Sequence, residues 1–304
     1  MPRRRISPMQ LTFLGTSCMM PTKERNPSAM YLEFKGEGIL FDCAEGTQRQ
    51  MRICGISLAK VHKILISHWH GDHILGLPGL LLTIASLELN RKVEIFGPRG
   101  SKKAFQQLFG GIEFEHKFNI TITEVDEGKF YENEYYLLES MPMKHPVPCV
   151  GYSFVEKDRR RINVETVKKL GIPDGPLLGE LQRGETVEWK GKKVHADDVT
   201  RTIKGRKLTF ITDTIPNKNC TTLAANSDIL VIDSTYTSEL ADKAKEHGHL
   251  TALEAAQIAS QAGVKKLILT HFSARYKNTI ELEKDAQTAF DNVISAHDFM
   301  RITL

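Results

Sequence analysis

Ser67-His68-Trp69-His70-Gly71-Asp72-His73 is the stretch whose reading decides the fold of this 304-residue chain. It follows the apolar run Lys63–Ser67 and precedes a helical pattern. Imidazole and carboxylate are good zinc ligands, and a catalytic site leaves one position open for water. Alternate spacing sets His68 and His70 on one side of an extended segment. The turn at Gly71 then offers Asp72 and His73 in another direction. One short segment can therefore serve two metals roughly 3.5–4 Å apart.

Two metals need more ligands, and the chain supplies suitable residues where apolar runs end. His145 follows the Leu137–Met143 region, Asp213 ends Lys207-Leu-Thr-Phe-Ile-Thr212, and His271 ends Lys266-Leu-Ile-Leu-Thr270. Polar ligands just past buried strands are where open α/β sheets place their sites.

The rest of the chain reads as a mixed α/β protein. Strand signals recur at Gln10–Leu14, Met30–Phe34, Gly38–Asp42, Lys63–Ser67, Lys92–Phe96, Asn119–Val125, Tyr135–Leu138 and Tyr152–Glu156. Helical patterns fall at about Asp72–Leu89 and Ser101–Phe109. The second half repeats the scheme, with continuous apolar runs at Leu208–Thr212, Ile229–Ile232 and Lys266–Thr270. Thr251-Ala-Leu-Glu254 predicts a capping box opening a helix that ends near Gly263. Two such halves are best drawn as two packed sheets with helices outside.

The segment 157–193 does not fit that scheme. It holds one short helical piece, Glu165–Leu170, and then Gly171-Ile-Pro-Asp-Gly-Pro-Leu-Leu-Gly179. Long connections of this kind are usually functional, and this one reads as a protruding arm inserted in a single domain spanning 1–304.

Net charge is +4, and its distribution is uneven. Glu156–Lys207 carries 14 Lys and Arg against 9 Asp and Glu, so the whole basic surplus lies there, as suits contact with a polyanion. Five scattered cysteines without a CxxC pair argue against a disulfide framework and for a reducing cytoplasm. Arg3, Arg4 and Arg5 start the chain, but the apolar run after them is too short for a secretory signal. The longest apolar stretch, Ile74–Ala85, is interrupted by Gly76, Pro78 and Gly79 and is too short to span a membrane.

His68, His70, Asp72 and His73 form an HxHxDH signature, by which the chain resembles the metallo-β-lactamase superfamily over nearly its whole length. The resemblance implies an αββα four-layer sandwich with metals at one edge. It implies one zinc on His68, His70 and His145, a second on Asp72, His73 and His271, and Asp213 bridging them. Asp72 would also orient or deprotonate the attacking water.

Local features narrow the resemblance to the ribonuclease Z family of tRNA 3′-processing endonucleases. Pro21-Thr-Lys23-Glu-Arg25-Asn26 matches that family's PxKxRN loop, and Phe41-Asp42-Cys43-Ala44-Glu45-Gly46-Thr47-Gln48 resembles its FDCGEGTQ segment. Asp42 and Thr47 are candidates for orienting metal ligands. The arm resembles the family's flexible arm, with Gly175-Pro176 at its tip and Arg159, Arg160, Arg161, Lys168 and Lys169 supplying charge. Gly248-His249-Leu250-Thr251 and Ile232-Asp233-Ser234-Thr235 resemble the family's HST and HEAT loops. That match implies that His249 donates a proton to the leaving oxygen or stabilises the charged phosphorane, with Asp233 its orienting partner and His247 a nearby competitor. His271-Phe-Ser273-Ala-Arg275 completes the set, with Ser273 and Arg275 near phosphate. Leu250 stands where the family has Ser, Asp233 where it has Glu, Ala44 and Thr212 where it has Gly.

The expectation is a homodimeric, two-zinc cytoplasmic endoribonuclease that cuts precursor tRNA after the discriminator nucleotide. It would leave a tRNA 3′-hydroxyl and a trailer 5′-phosphate. Lys23, Arg25, Asn26, Gly175, Pro176, Ser273 and Arg275 would contact RNA. The rivals are a small-molecule phosphodiesterase or arylsulfatase of the same fold, and a metal-free RNA-binding module that has lost catalysis.

Overall fold

The structure is a computed structural model that describes residues 9–87, 92–113 and 119–304. Arg3, Arg4, Arg5 and the expected helix end at Leu89 lie outside these residues.

Two seven-stranded sheets form the centre. The first runs Arg301–Thr303, Gln10–Gly15, Ala29–Phe34, Glu37–Phe41, Val61–Leu65, Val93–Gly97, Ile120–Glu124 from edge to edge. The second runs Val293–Ser295, Leu267–Thr270, Ile229–Asp233, Lys207–Ile211, Cys149–Glu156, Tyr136–Met143, Gly128–Glu132. Each sheet joins a parallel block to an antiparallel one.

Alternation along the strands explains the layers. Leu11, Phe13, Leu32 and Phe41 of the first sheet pack against Tyr152, Phe154, Phe210 and Val231 of the second in one buried cluster. The opposite face of the first sheet buries Leu40, Ile64 and Ile95 under the helix Leu77–Ser86 and Phe105. The opposite face of the second sheet buries Leu230, Ile232 and Leu269 under the helices Ala252–Gln261 and Ile280–Gln287. The result is an α/β/β/α sandwich.

The predicted capping box is present, with Thr251 Oγ1 accepting from Glu254 N and Glu254 Oε2 accepting from Thr251 N at 2.8 Å. The predicted helix Asp72–Leu89 is instead two helices, Gly71–Ile74 and Leu77–Ser86. Gly76 marks the break: its N–H donates to Cys43 O, and a Cβ there would lie 2.0 Å from Ala44 O. The chain must pass this close to hold the Gly71–Ile74 turn at the site.

Segment 157–193 is not an irregular loop, and its boundary lies further on. Arg159–Ile162 pairs antiparallel with Thr200–Ile203 and closes its base. Inside are the helices Val164–Leu170, Pro176–Arg183 and Ala196–Val199, and the hairpin Val187–Trp189/Lys192–Val194. Val167, Ile172, Leu181, Val187, Val194 and Val199 form a separate small core. The periodicities were too short to show this, because a core of seven buried residues draws on pieces of three to eight residues each.

The sheets are tied together at the end where the sequence places the histidines. Val150 N donates to Ser67 O at 2.9 Å, and the buried Tyr152 hydroxyl donates to Ile66 O at 2.7 Å. Phe272 N donates to Thr16 O, and Cys18 N to Phe272 O. Unmatched buried polar groups cost about 1–3 kcal/mol, so these bonds hold the loops of both sheets in fixed register.

Candidate metal centre and active site

The chain brings its ligand-type residues to one end of the sandwich, at the ends of Val61–Leu65, Tyr136–Met143, Lys207–Ile211, Ile229–Asp233 and Leu267–Thr270. Asp42, Asp213 and His271 all have left-handed backbone, with φ of 56°, 46° and 63°. Such a conformation costs a non-glycine residue about 1–2 kcal/mol and concentrates at functional sites. Here it turns each side chain sharply off its strand into the cleft. Thr212, standing before Asp213, is accommodated in the buried layer.

Seven side chains converge as two groups. His68 Nε2 and His145 Nε2 lie 3.0 and 3.2 Å from His70 Nδ1. His73 Nε2 lies 3.5 Å from Asp72 Oδ2, and His271 Nε2 lies 3.6 Å from the same oxygen. Asp213 stands between the groups: Oδ2 is 3.5 Å from His68 Nε2, while Oδ1 is 3.1 Å from His271 Nε2 and 3.5 Å from His73 Nε2. Ligands about 2.0–2.1 Å from a tetrahedral zinc sit about 3.3 Å from each other, so these separations suit that coordination. His73 Nε2, His271 Nε2 and Asp213 Oδ1 are buried without a hydrogen-bond partner, an arrangement that is rare unless something else binds there. The donor set therefore fits metal ions.

The far side of each ring fixes which nitrogen is free. His73 Nδ1 donates to Asp42 Oδ2 at 2.7 Å, and Asp42 also accepts from Ser67 N and Ser67 Oγ. Ser67 Oγ in turn lies 3.0 Å from His68 Nδ1. His145 Nδ1 donates to Gly248 O at 3.2 Å, an approach that a Cβ on Gly248 would block at 2.9 Å. These bonds turn Nε2 of His73, His68 and His145 inward. Asp42 thus orients a ring as its sequence suggests. Thr47 does not: its hydroxyl closes the turn by donating to Ala44 O.

Charge in the site is balanced locally. Burial opposes ionisation of Asp213, yet His271, His73 and His68 hold its carboxyl far below the ordinary range. Burial likewise opposes ionisation of Asp72, and the neighbouring His271 and His73 outweigh it, holding its carboxyl below the ordinary range. Met19 N also donates to Asp72 Oδ2 at 2.8 Å.

His249 is close to fully buried beside this cluster, with Nδ1 3.0 Å from Asp233 Oδ2 and 4.0 Å from Asp213 Oδ2. Asp233 spans the distance despite lacking a methylene relative to Glu. It accepts from Thr235 N and Thr235 Oγ1 through its other oxygen. Burial works against a charged imidazole, but Asp233 outweighs it and raises His249 to about 10. Asp233 itself is held at about 2, burial being overcome by His249. His247 is exposed outside the cleft. Leu250 is fully buried and anchors the loop in the core.

The expected RNA contacts divide. Lys23 is exposed. Arg25 donates to Tyr276 O at 2.7 Å and lies over Phe272; Asn26 donates to Glu45 O at 2.7 Å. These two side chains hold the loop. Ser273 is half-buried, and the exposed Arg275 lies 5.6 Å from the Tyr236 ring. Gly175 and Pro176 open the arm helix Pro176–Arg183, away from the ligand cluster in sequence and in packing. Sequence reasoning missed Cys18, whose Sγ lies 3.8 Å from His249 Nε2. It also missed Asp298, which accepts from Thr16 Oγ1, Asn26 N and Gln50 Nε2. Neither carries a local motif; only the fold brings them to these partners.

A family model described as anti-Pycsar protein Apyc1 matches residues 9–157, and one described as beta-lactamase superfamily domain matches residues 192–272. Ribonuclease Z of Archaeoglobus fulgidus is 40% identical over 298 residues, covering 96% of this chain and 97% of its own. Ribonuclease Z of Streptococcus uberis is 38% identical, covering 97% and 100%. The crystal structure of human tRNase Z, short form, aligns over 97% of this chain and 99% of its own, with TM-score 0.71 and 29% identity. A metallo-β-lactamase-fold protein of Bacillus subtilis shares the fold at TM-score 0.71 and 18% identity. With the sandwich and the clustered His/Asp cleft already in view, these relationships establish that the chain belongs to the ribonuclease Z family, endoribonucleases of the metallo-β-lactamase fold.

Proposed function

We propose that this protein is a zinc-dependent endonuclease that removes the 3′ trailer from precursor tRNA. It cuts after the discriminator nucleotide to leave a tRNA 3′-hydroxyl and a trailer 5′-phosphate. The observation that carries this reading is the pair of donor groups sharing Asp213. His68, His70 and His145 would hold one zinc; Asp72, His73 and His271 would hold the other. When bound, the ions would activate a water and offset negative charge on the phosphate.

The chain's own residues do the rest. Asp72, ionised and fixed by Met19 N, orients the attacking water. His249 is protonated at neutral pH, and its Nε2 gives that proton to the leaving 3′-oxygen as the phosphorus–oxygen bond breaks. Asp233 holds the ring and stabilises its charge, as a carboxylate does for a catalytic histidine. Lys23, Ser273 and Arg275 would meet phosphates. Arg25 and Asn26 shape the loop that presents Lys23.

Two features support a macromolecular substrate. The arm carries the basic surplus and has a core of its own. It also leaves the sandwich from the far end of Cys149–Glu156, a strand that starts beside the cleft and rises about 3.3 Å per residue. An arm so placed suits a homodimer in which each arm serves its partner's cleft. Recognition then falls on shape and phosphates more than on base sequence. Five free cysteines suit the cytoplasm, and among the described residues no helix is long and apolar enough to cross a membrane.

The test compares a trailer-bearing tRNA with bis-p-nitrophenyl phosphate. Efficient trailer removal supports the reading. Turnover of the chromogenic ester with no RNA cleavage would favour a small-molecule phosphodiesterase.

A further inference from the structure

Beside His145 lies a cavity of about 270 Å³ whose lining does not include His249. Its walls come from the ends of Tyr136–Met143 and Cys149–Glu156 and from three loops. Pro98 and Arg99 follow the strand Val93–Gly97, Asp126 follows Ile120–Glu124, and Pro146, Val147 and Pro148 follow His145 itself. No residue of the Pro21–Asn26 loop, of the His249 loop or of Ser273–Arg275 lines it.

The composition is selective. Four prolines, Pro98, Pro142, Pro146 and Pro148, offer flat C–H faces and no N–H donor. Arg99 is exposed and has no ion-pair partner among the described residues. Ligand sites typically combine apolar walls with a few placed polar groups, at about 300–1,000 Å³ for drug-sized ligands. A cavity slightly below that range suits one nucleobase and excludes a duplex. Faces that stack a base are tolerant of its identity, whereas a free guanidinium pairs with phosphate.

His145 decides which nucleotide is meant. Its Nε2 belongs to the ligand cluster, 3.2 Å from His70 Nδ1, while its residue also borders the cavity. The scissile phosphate bound at the cluster therefore adjoins the cavity directly. In the endonuclease reading, on which this inference rests, the leaving oxygen on the His249 side belongs to the tRNA. The strand on the opposite side is the trailer. We propose that this cavity is a subsite for the first trailer nucleotide, its base lying against Pro146 and Pro148 and its 3′ phosphate paired by Arg99. Asp126 at the rim accepts from an exocyclic amino group where the base has one.

The experiment measures KM and kcat on a precursor tRNA with a short trailer and on the same RNA with an abasic first trailer nucleotide. The proteins are the wild-type holoenzyme, Arg99→Glu, Arg99→Lys and Val147→Phe, which fills the cavity. In the wild type, the abasic substitution raises KM several-fold. Arg99→Glu raises KM on the natural trailer about tenfold, the scale of one charge-assisted hydrogen bond, and Arg99→Lys recovers part of the loss. In Val147→Phe the difference between base-bearing and abasic trailers disappears. If the wild type treats both trailers alike, or Val147→Phe keeps the full difference, the subsite is overturned while the endonuclease reading stands. A wild type that does not cleave the precursor overturns both.

Discussion

His249 Nδ1 and Asp233 Oδ2 stand 3.0 Å apart in a buried pair, Asp233 at the end of the strand Ile229–Asp233 and His249 in the loop after the helix Ala241–His247. The carboxylate raises the imidazole to about 10, so the ring is protonated at neutral pH. A general acid acts only while it holds its proton, so the rate on tRNA should fall as pH rises through its pKa. Asp233→Asn removes the charge that raises His249, and the alkaline decline should move to lower pH. His249→Ala should lower kcat by roughly a hundredfold or more. A pH–rate profile of both variants checks this; an unmoved alkaline limb in Asp233→Asn would contradict the pairing.

Asp72 is shared between the second donor group and the Met19 amide. Asp72→Ala should bring cleavage to background while tRNA binding stays within a few-fold. Gel-shift titration beside a cleavage assay reads both. An active variant would remove Asp72 from the mechanism.

Asp42 touches no substrate, yet its carboxylate fixes His73 and Ser67. Asp42→Ala should cost roughly 10–100-fold in metal affinity or activity, the usual scale for a group that orients a ligand. Metal titration of the purified variant should show one weakened site.

The arm is closed at its base by Arg159–Ile162 and Thr200–Ile203. Replacing residues 159–203 with a short Gly/Ser linker removes its small core whole. The deletion should weaken tRNA binding far more than it slows hydrolysis of a small ester. Equal losses on both substrates would count against a tRNA-binding arm.

The sequence made the candidate ligand residues readable because each announces itself locally. Four sit within His68–His73, and His145, Asp213 and His271 each end an apolar run. The two-sheet arrangement was legible from the same runs. What stayed hidden depends on contacts distant in sequence. Edge strands such as Arg301–Thr303 are three residues long and have no periodicity to read. The helix break at Gly76 arises from its approach to Ala44 O, and Asp298 meets Thr16, Asn26 and Gln50 only through the fold. Arg25 and Asn26 carry a recognisable loop motif, but the fold turns their side chains inward, a distinction no spacing reveals. The arm's core is assembled from elements individually too short to signal themselves.

The most direct measurement is the cut position on a precursor tRNA transcript, mapped with its end groups in the presence of zinc and after chelation. One zinc-dependent cut is expected immediately after the discriminator nucleotide, with a 5′-phosphate on the trailer. Cleavage that persists without metal, or that falls at scattered positions, would contradict it.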